Sequence, residues 1–263
     1  VAKLKFMQQF AKTLSRDDVL VPHLNNYFYV ADWPDEFPFV VHPNKEHDDA
    51  FHPSGALKCM RTLYAERRGD LKPEIHPLEL QKIFLFGHFF HSALQWIMVE
   101  GLKFATWDDI EKEYDMHFKT EKGNDMRVRG FTDIARCVIP NEGEFLVDIK
   151  TVNARLFSMT PTPEFLVSKY TAQVRFYMEF EDIDNAIVLM CEKDSPHRFK
   201  EVRITRDGNF VDRILEDWED VVDMEVEGII PACTCLNPAE CPTKNIYNID
   251  PRETAKDDEG RKQ

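Results

Sequence analysis

The chain has 263 residues, 47 of them acidic and 33 basic, giving a formal net charge of −14 and a pI of about 5.1. Its 20 Phe, 7 Tyr and 4 Trp exclude disorder as the main state, because so much aromatic surface does not stay hydrated cheaply. The most apolar stretch, Ile83 to Val99, is interrupted by His88, His91, Ser92 and Gln95 and is too short and polar to span a bilayer. Val1 to Phe10 lacks the apolar core of a secretory signal, so the expectation is a cytoplasmic protein without a membrane partner. In that compartment the six cysteines are expected to be core thiols or metal ligands, not disulfides.

In chain order, residues 1–50 read as an N-terminal extension. A short amphipathic helix covers Leu4 to Leu14, and an aromatic, proline-containing stretch runs from Tyr27 to Pro43. Ser54 to Arg67 has a helical pattern, and Pro73 and Pro77 break the chain after it. Leu78 to Glu100 reads as a long helix, apolar on nearly every side and therefore buried. Glu113 to Lys119 alternates as a strand. Met126 to Ile139 and Glu144 to Thr151 read as strands joined by the turn Pro140-Asn141-Glu142-Gly143. Thr162 caps, and Pro163 and Glu164 open, a helix that runs to about Phe180. Ala186 to Glu192 and Phe199 to Ile204 are two further strands. Gly208 to about Glu227 is a helix with Phe210, Ile214, Trp218, Val221 and Val222 on one face. The segment from Asp212 to Glu227, with its acids expected to face solvent and Arg213 its one base, carries half of the net charge, which leaves room for a basic groove elsewhere. The charged tail from Asp250 is expected to fray. This element order points to a mixed α/β domain.

The segment Phe145-Leu146-Val147-Asp148-Ile149-Lys150 carries the chemistry. On a strand, Phe145, Val147 and Ile149 share one face, and Leu146, Asp148 and Lys150 share the other. If Asn141 and Glu142 are the central turn residues, Ala135 faces Asp148 and Asp133 faces Lys150. Two carboxylates and an ammonium group then converge, an arrangement that a one-residue slip in register would undo. The carboxylates suit a hard divalent ion such as Mg²⁺, and the lysine suits orientation of water or stabilisation of phosphate charge. The same residues also read as an Asp–Lys ion pair on a solvated sheet. Gln173 and Tyr177 sit one turn apart on the helix opened by Thr162.

Gly130-x-x-Asp133, Asp148-x-Lys150 and Gln173-x-x-x-Tyr177, in this order and spacing, resemble the PD-(D/E)XK nuclease superfamily, in its RecB-like exonuclease branch. Gly87 to His91 is similar to the G-x-x-x-H helix of that branch. The resemblance implies a restriction-endonuclease-like core, with a mixed central sheet flanked by helices and a helical N-terminal part. It implies that His91, Asp133, Asp148 and the main-chain carbonyl of Ile149 bind Mg²⁺ or Mn²⁺, and that Lys150 is catalytic with Asp148 and Asp133. Gln173 and Tyr177 would position DNA. The second acid is Asp148 where many relatives carry Glu; both fit the family pattern.

Cys233, Cys235 and Cys241 form a C-x-C-x5-C cluster in a loop that offers no helix or strand to bury three thiols, so metal binding is the expectation. The candidate fourth ligand is Cys59. Its segment, Ser54 to Tyr64, reads S-x-x-x-x-C-x-R-x-x-Y and is similar to the opening of the iron–sulfur nucleases, the AddB and CRISPR-associated RecB-like groups. That likeness implies a structural [4Fe–4S] cluster clamping the domain ends, although four thiolates also suit structural Zn²⁺. The late spacing here is shorter by one residue than the usual C-x-x-C-x5-C. Cys137 and Cys191 read as plain core thiols.

No phosphate-binding loop of the G-x-x-x-x-G-K-[ST] type and no G-x-S-x-G elbow is present, so any helicase or recombination partner is a separate protein. His42, His47 and His52 read as surface residues. Arg127, Arg129, Arg155, Lys169 and Arg175 flank the motifs and are candidates for tracking phosphates. The expected organisation is an extension over 1–50, a nuclease domain with its cysteine cluster over 51–249, and a tail over 250–263. The expected activity is a metal-dependent DNA exonuclease acting on single-stranded or free ends in phage- or CRISPR-type recombination or repair. The alternatives are a non-catalytic DNA-end-binding adaptor and a structure- or sequence-specific endonuclease.

Overall fold

The computed structural model describes residues 18–30, 49–71, 78–159, 170–193, 198–235, 237–247, 250, 252–253 and 255–256. The helix at Leu4 to Leu14, the stretch after Val30 up to Pro43, the Thr162 helix start, His42, His47 and Lys169 lie outside them.

Five strands form the central sheet: β1 (Ile110–Lys119), β2 (Asp125–Ile139), β3 (Gly143–Val152), β4 (Asn185–Glu192) and β5 (Phe199–Thr205). They lie in sequence order, antiparallel except for the parallel β3–β4 pair. That parallel pair requires a crossover, which contains helices α4 (Ala154–Ser158) and α5 (Ala172–Glu181). Strand β4 is buried at seven of its eight positions, as a strand covered on both faces must be. With helices on both faces, this is the mixed α/β architecture expected from the element order.

One face is covered by α1 (Val21–Val30) and α3 (Leu78–Trp96), the latter ending in a π-helical turn over Ile97–Gly101. Leu20, Leu24, Leu94 and Met98 pack there against Val147, Ile149 and Leu189. The start of α1 is tied down by Glu201 on β5, whose carboxylate accepts from the amides of Val19, Leu20 (2.8 Å) and Val21 (3.1 Å). Val19, Leu20, Val21 and Leu24 are thus part of the packed core, although they belong to the segment read as an extension. Over residues 87–96, helix α3 is less buried than its composition predicts, since Phe89 is 43% exposed. An all-round apolar sequence does not say which side meets solvent.

The other face carries α5, where Val174, Tyr177 and Met178 pack on Leu146, Val188 and Met190. Behind α5 lies α6 (Gly208–Glu227), with Ile214, Trp218, Val221 and Val222 inward as predicted. Its N-terminus is capped by Asp207, which accepts from the Phe210 amide, and Gly228 ends it with a left-handed φ of 66°. Trp218 lies between Phe51 and Phe176, stacked on each at centroid distances of 4.8 and 4.9 Å. This column fixes α5 relative to the sheet.

The segment expected as one helix from Ser54 to Arg67 is divided into a 3₁₀ turn at Pro53–Gly55 and α2 (Met60–Arg67). Cys59 stands at the N-cap between them with extended backbone (ψ 137°), which turns its thiol toward the C-terminal loop. The described residues between Asp250 and Lys256 are also more engaged than expected. Ala255–Lys256 (β7) pairs with Ile229–Ile230 (β6), and Arg61 donates to the carbonyls of Asp250 and Glu253.

Candidate functional site

The hairpin between β2 and β3 turns through Asn141 and Gly143, with left-handed φ of 66° and 106°. Ile139 pairs with Gly143 and Cys137 with Phe145, one position away from the predicted register. The register then shifts between Cys137 and Ile134, so that Ile134 opposes Val147. The expected Ala135–Asp148 and Asp133–Lys150 pairings are therefore corrected by two positions, and continuing the ladder sets Asp133 beside Asp148. Without the bulge, Asp133 would be in phase with Ile149 and on the wrong face. With it, Ile134 joins Cys137 and Ile139 in the core opposite, and Asp133 returns to the face of Asp148.

Beyond Ile134 and Val147 the strands part, and Asp133 fills the gap: its Oδ2 accepts the Ile149 amide at 2.6 Å. Because N–H and C=O of one strand residue project to the same side, the Ile149 carbonyl faces this gap too. From α3, His91 Nδ1 lies 3.3 Å from Asp133 Oδ1. Lys150 Nζ contacts Asp148 Oδ1 at 2.9 Å, and its ammonium stands 5.5 Å from the ring centre of Tyr170. The other oxygen of Asp148, Oδ2, is buried without a hydrogen-bond partner among the described residues.

The electrostatics follow from crowding two acids and two cations under low exposure. Burial opposes ionisation of Asp133, but the charges of His91 and Lys150 and the Ile149 amide outweigh it and hold the carboxyl at about 2. Burial, joined by the like charge of Asp133, outweighs Lys150 at Asp148 and pushes that carboxyl up to about 6. Burial would lower Lys150 and His91, yet the neighbouring carboxylates raise both.

Tyr177 is 2% exposed, and its hydroxyl lies against Gly130, where a Cβ would stand 2.5 Å away. Burial keeps the phenol protonated, with the Gln173 side chain and the Phe131 amide hydrogen-bonded to it. Gln173 is the half-buried member of the pair. Tyr177 thus supports the floor of the site, and Gln173 is the one with a surface to offer.

The structure brings His91, Asp133, Asp148, Ile149, Lys150, Gln173 and Tyr177 to one region. It does not bring the basic candidates into play at Arg127 and Arg129, which pair with Asp115 and Glu113 on β1 at 2.6 and 2.7 Å. His52 is half-buried, 2.8 Å from the Arg129 carbonyl, and is not a plain surface residue. Two residues at the site escaped the sequence reading, Gln95 and Tyr170. Both stand at helical spacing from a motif residue, Gln95 one turn after His91 and Tyr170 three before Gln173.

The Sγ atoms of Cys59, Cys233, Cys235 and Cys241 all lie within 4.8 Å of one another. Among the described residues they are the one group of three or more ligating side chains drawn together so closely; His91, Asp133 and Asp148 are not. The amides of Thr234 and Cys235 point at the sulfurs of Cys59 (3.3 Å) and Cys233 (3.4 Å). Burial opposes ionisation of Cys59, but the Thr62 and Thr234 amides outweigh it and lower the thiol to about 6. Such a donor set fits a metal bound through thiolate. Arg61, 1% exposed, secures the flank by donating from Nε to the Pro231 carbonyl at 2.9 Å. Cys137 and Cys191 are buried core thiols, and burial pushes Cys137 up to about 12.

No protein-family model matches the chain, and no curated protein matches it. Among solved structures, the chain is similar to LHK-Exo, crystallised in complex with dAMP, at 14% identity and a TM-score of 0.39, over 68% of this chain and 88% of that one.

Proposed function

We propose that this protein is a divalent-metal-dependent DNA exonuclease that hydrolyses phosphodiester bonds from single-stranded ends, in recombination or repair. The observation that carries the reading is Asp148 Oδ2, a buried carboxylate oxygen without a partner, placed beside Asp133, His91 and Lys150. Leaving such an atom unsatisfied is costly, and a cation satisfies it. Asp133, Asp148, His91 and the Ile149 carbonyl would hold Mg²⁺ or Mn²⁺, with the imidazole favouring the softer ion. When bound, the ion supplies Lewis acidity toward water and the scissile phosphate. Lys150 directs a water for in-line attack and offsets charge on the phosphate oxygens. Gln173 meets the strand, with Tyr177 holding it from behind.

Digestion of end-labelled linear DNA and of circular DNA with Mg²⁺, Mn²⁺ or EDTA tests this. Cleavage of linear DNA that needs metal, spares the circle and disappears in Asp148→Asn and Lys150→Ala is expected. DNA binding without any metal-dependent product would favour an adaptor, and cutting of the circle an endonuclease.

The four thiols are proposed to hold a structural metal, which the sequence likeness makes a [4Fe–4S] cluster. One observation favours zinc. Sulfurs around a single tetrahedral ion at about 2.3 Å stand about 3.8 Å apart, and Cys59 and Cys233 are 3.6 Å apart. A four-iron cubane spreads its thiolates more widely, because each caps a different iron. Absorption spectra and metal analysis of anaerobically purified protein separate the two.

A further inference from the structure

We propose that Gln95 is a positioning residue for Asp133, setting the affinity of the site for its cation; this rests on the metal-dependent reading above. Gln95 is fully buried on α3, one turn after His91, so both side chains leave the same helix face. His91 engages the Asp133 carboxylate, and Gln95 engages its main chain. Gln95 Nε2 donates to the Asp133 carbonyl at 3.1 Å and to Glu111 Oε1 at 2.7 Å.

The need for this contact follows from the sheet. The β1–β2 ladder pairs Ile110 with Ile134 and Lys112 with Thr132, skipping the position between them, where Glu111 stands opposite Asp133. Glu111 has a left-handed φ of 48°, an uncommon conformation for a side-chain-bearing residue. Asp133 is therefore flanked by an irregularity on the β1 side and by the bulge on the β3 side. Gln95 takes up the carbonyl at the point where both ladders are interrupted.

The orientation of the amide supports a positioning role. Both neighbours of Nε2 are acceptors, so only the NH₂ end can face them. That choice leaves Gln95 Oε1 buried without a partner among the described residues, which works against stability. A residue kept only to fill space would be better served by an apolar side chain of the same length. Outer contacts that orient a ligand typically alter metal affinity by about tenfold or more when removed.

The test uses the full-length protein and Mn²⁺ as probe, with free Mn²⁺ followed by electron paramagnetic resonance and turnover measured on end-labelled linear DNA. Gln95→Met, close in volume, is expected to weaken Mn²⁺ binding about tenfold, with kcat at saturating Mn²⁺ within about twofold of wild type. Gln95→Glu, which sets an acceptor against two acceptors, is the second variant and is expected to weaken binding likewise. Mn²⁺ affinity within about twofold of wild type in whichever variant folds, with only the thermal midpoint lowered, would overturn the proposal. If wild type and Asp148→Asn alike bind no Mn²⁺, the metal-dependent reading itself falls, and this inference with it.

Discussion

Tyr177 rests its hydroxyl on the backbone of Gly130, so that a Cβ there would approach the oxygen to 2.5 Å and Cε1 to 3.0 Å. The Gly130–Asp133 and Gln173–Tyr177 motifs are thus in van der Waals contact, and each fixes the other. Gly130→Ala is expected to destabilise the protein by about 1–3 kcal/mol through overpacking. Tyr177→Phe removes the nearer atom, so the double variant should recover part of the loss, which a double-mutant cycle by urea denaturation measures.

Cation binding should depend on pH with a definite sign. The Asp148 carboxyl is pushed up to about 6 and His91 is raised, so both retain protons under mildly acidic conditions. A cation must displace those protons, and affinity for Mn²⁺ therefore falls as pH drops through about 6. Asp133, held at about 2, stays ionised throughout and adds no slope. Affinity at pH 5.5 is expected to be about tenfold or more below that at pH 8, by titration of free Mn²⁺. An unchanging affinity across that range would count against Asp148 as a ligand.

The thiol cluster joins Cys59 to Cys233 across 174 residues. A metal held there would restrain the unfolded chain and secure α2 against the C-terminal loop. Cys241→Ser, or removal of metal by a strong chelator, is expected to lower the thermal midpoint by roughly 5–10 °C. Cys137→Ser should leave bound metal unchanged, because that thiol lies in the sheet core. Metal content and calorimetry of the two variants check the contrast.

Glu201 caps α1 from β5, accepting three successive amides. Glu201→Ala is expected to cost about 1–2 kcal/mol, in the range of lost helix caps. Hydrogen exchange should quicken first at Val19 to Val21, and unchanged protection there would argue against the cap.

Much of this architecture is legible in the sequence where the signal is periodic and local. Strand β2 follows alternation, β4 a continuous apolar run, and α6 the spacing of Ile214, Trp218 and Val221. The cysteine cluster is legible because three thiols in a loop have no other use, and Cys59 meets them as expected. What escaped depends on distant partners or on unmarked irregularity. The docking of α1 relies on Glu201, 181 residues from Leu20. The shift between Ile134 and Cys137 carries no Gly or Pro to announce it, so the turn alone predicts a register two positions off. Arg127 and Arg129 look available until β1 supplies Asp115 and Glu113 across the ladder.

The extra residue in β2 also constrains how this chain can change over time. Excising one amino acid at 135 or 136 would make the ladder regular while keeping Ile134 opposite Val147 and Asp133 on the face of Asp148, whereas a regular ladder at full length would turn Asp133 toward the core. A chain one residue shorter at this point would therefore hold the two acids together without a bulge, and what must be preserved is the offset between them, not the length of β2.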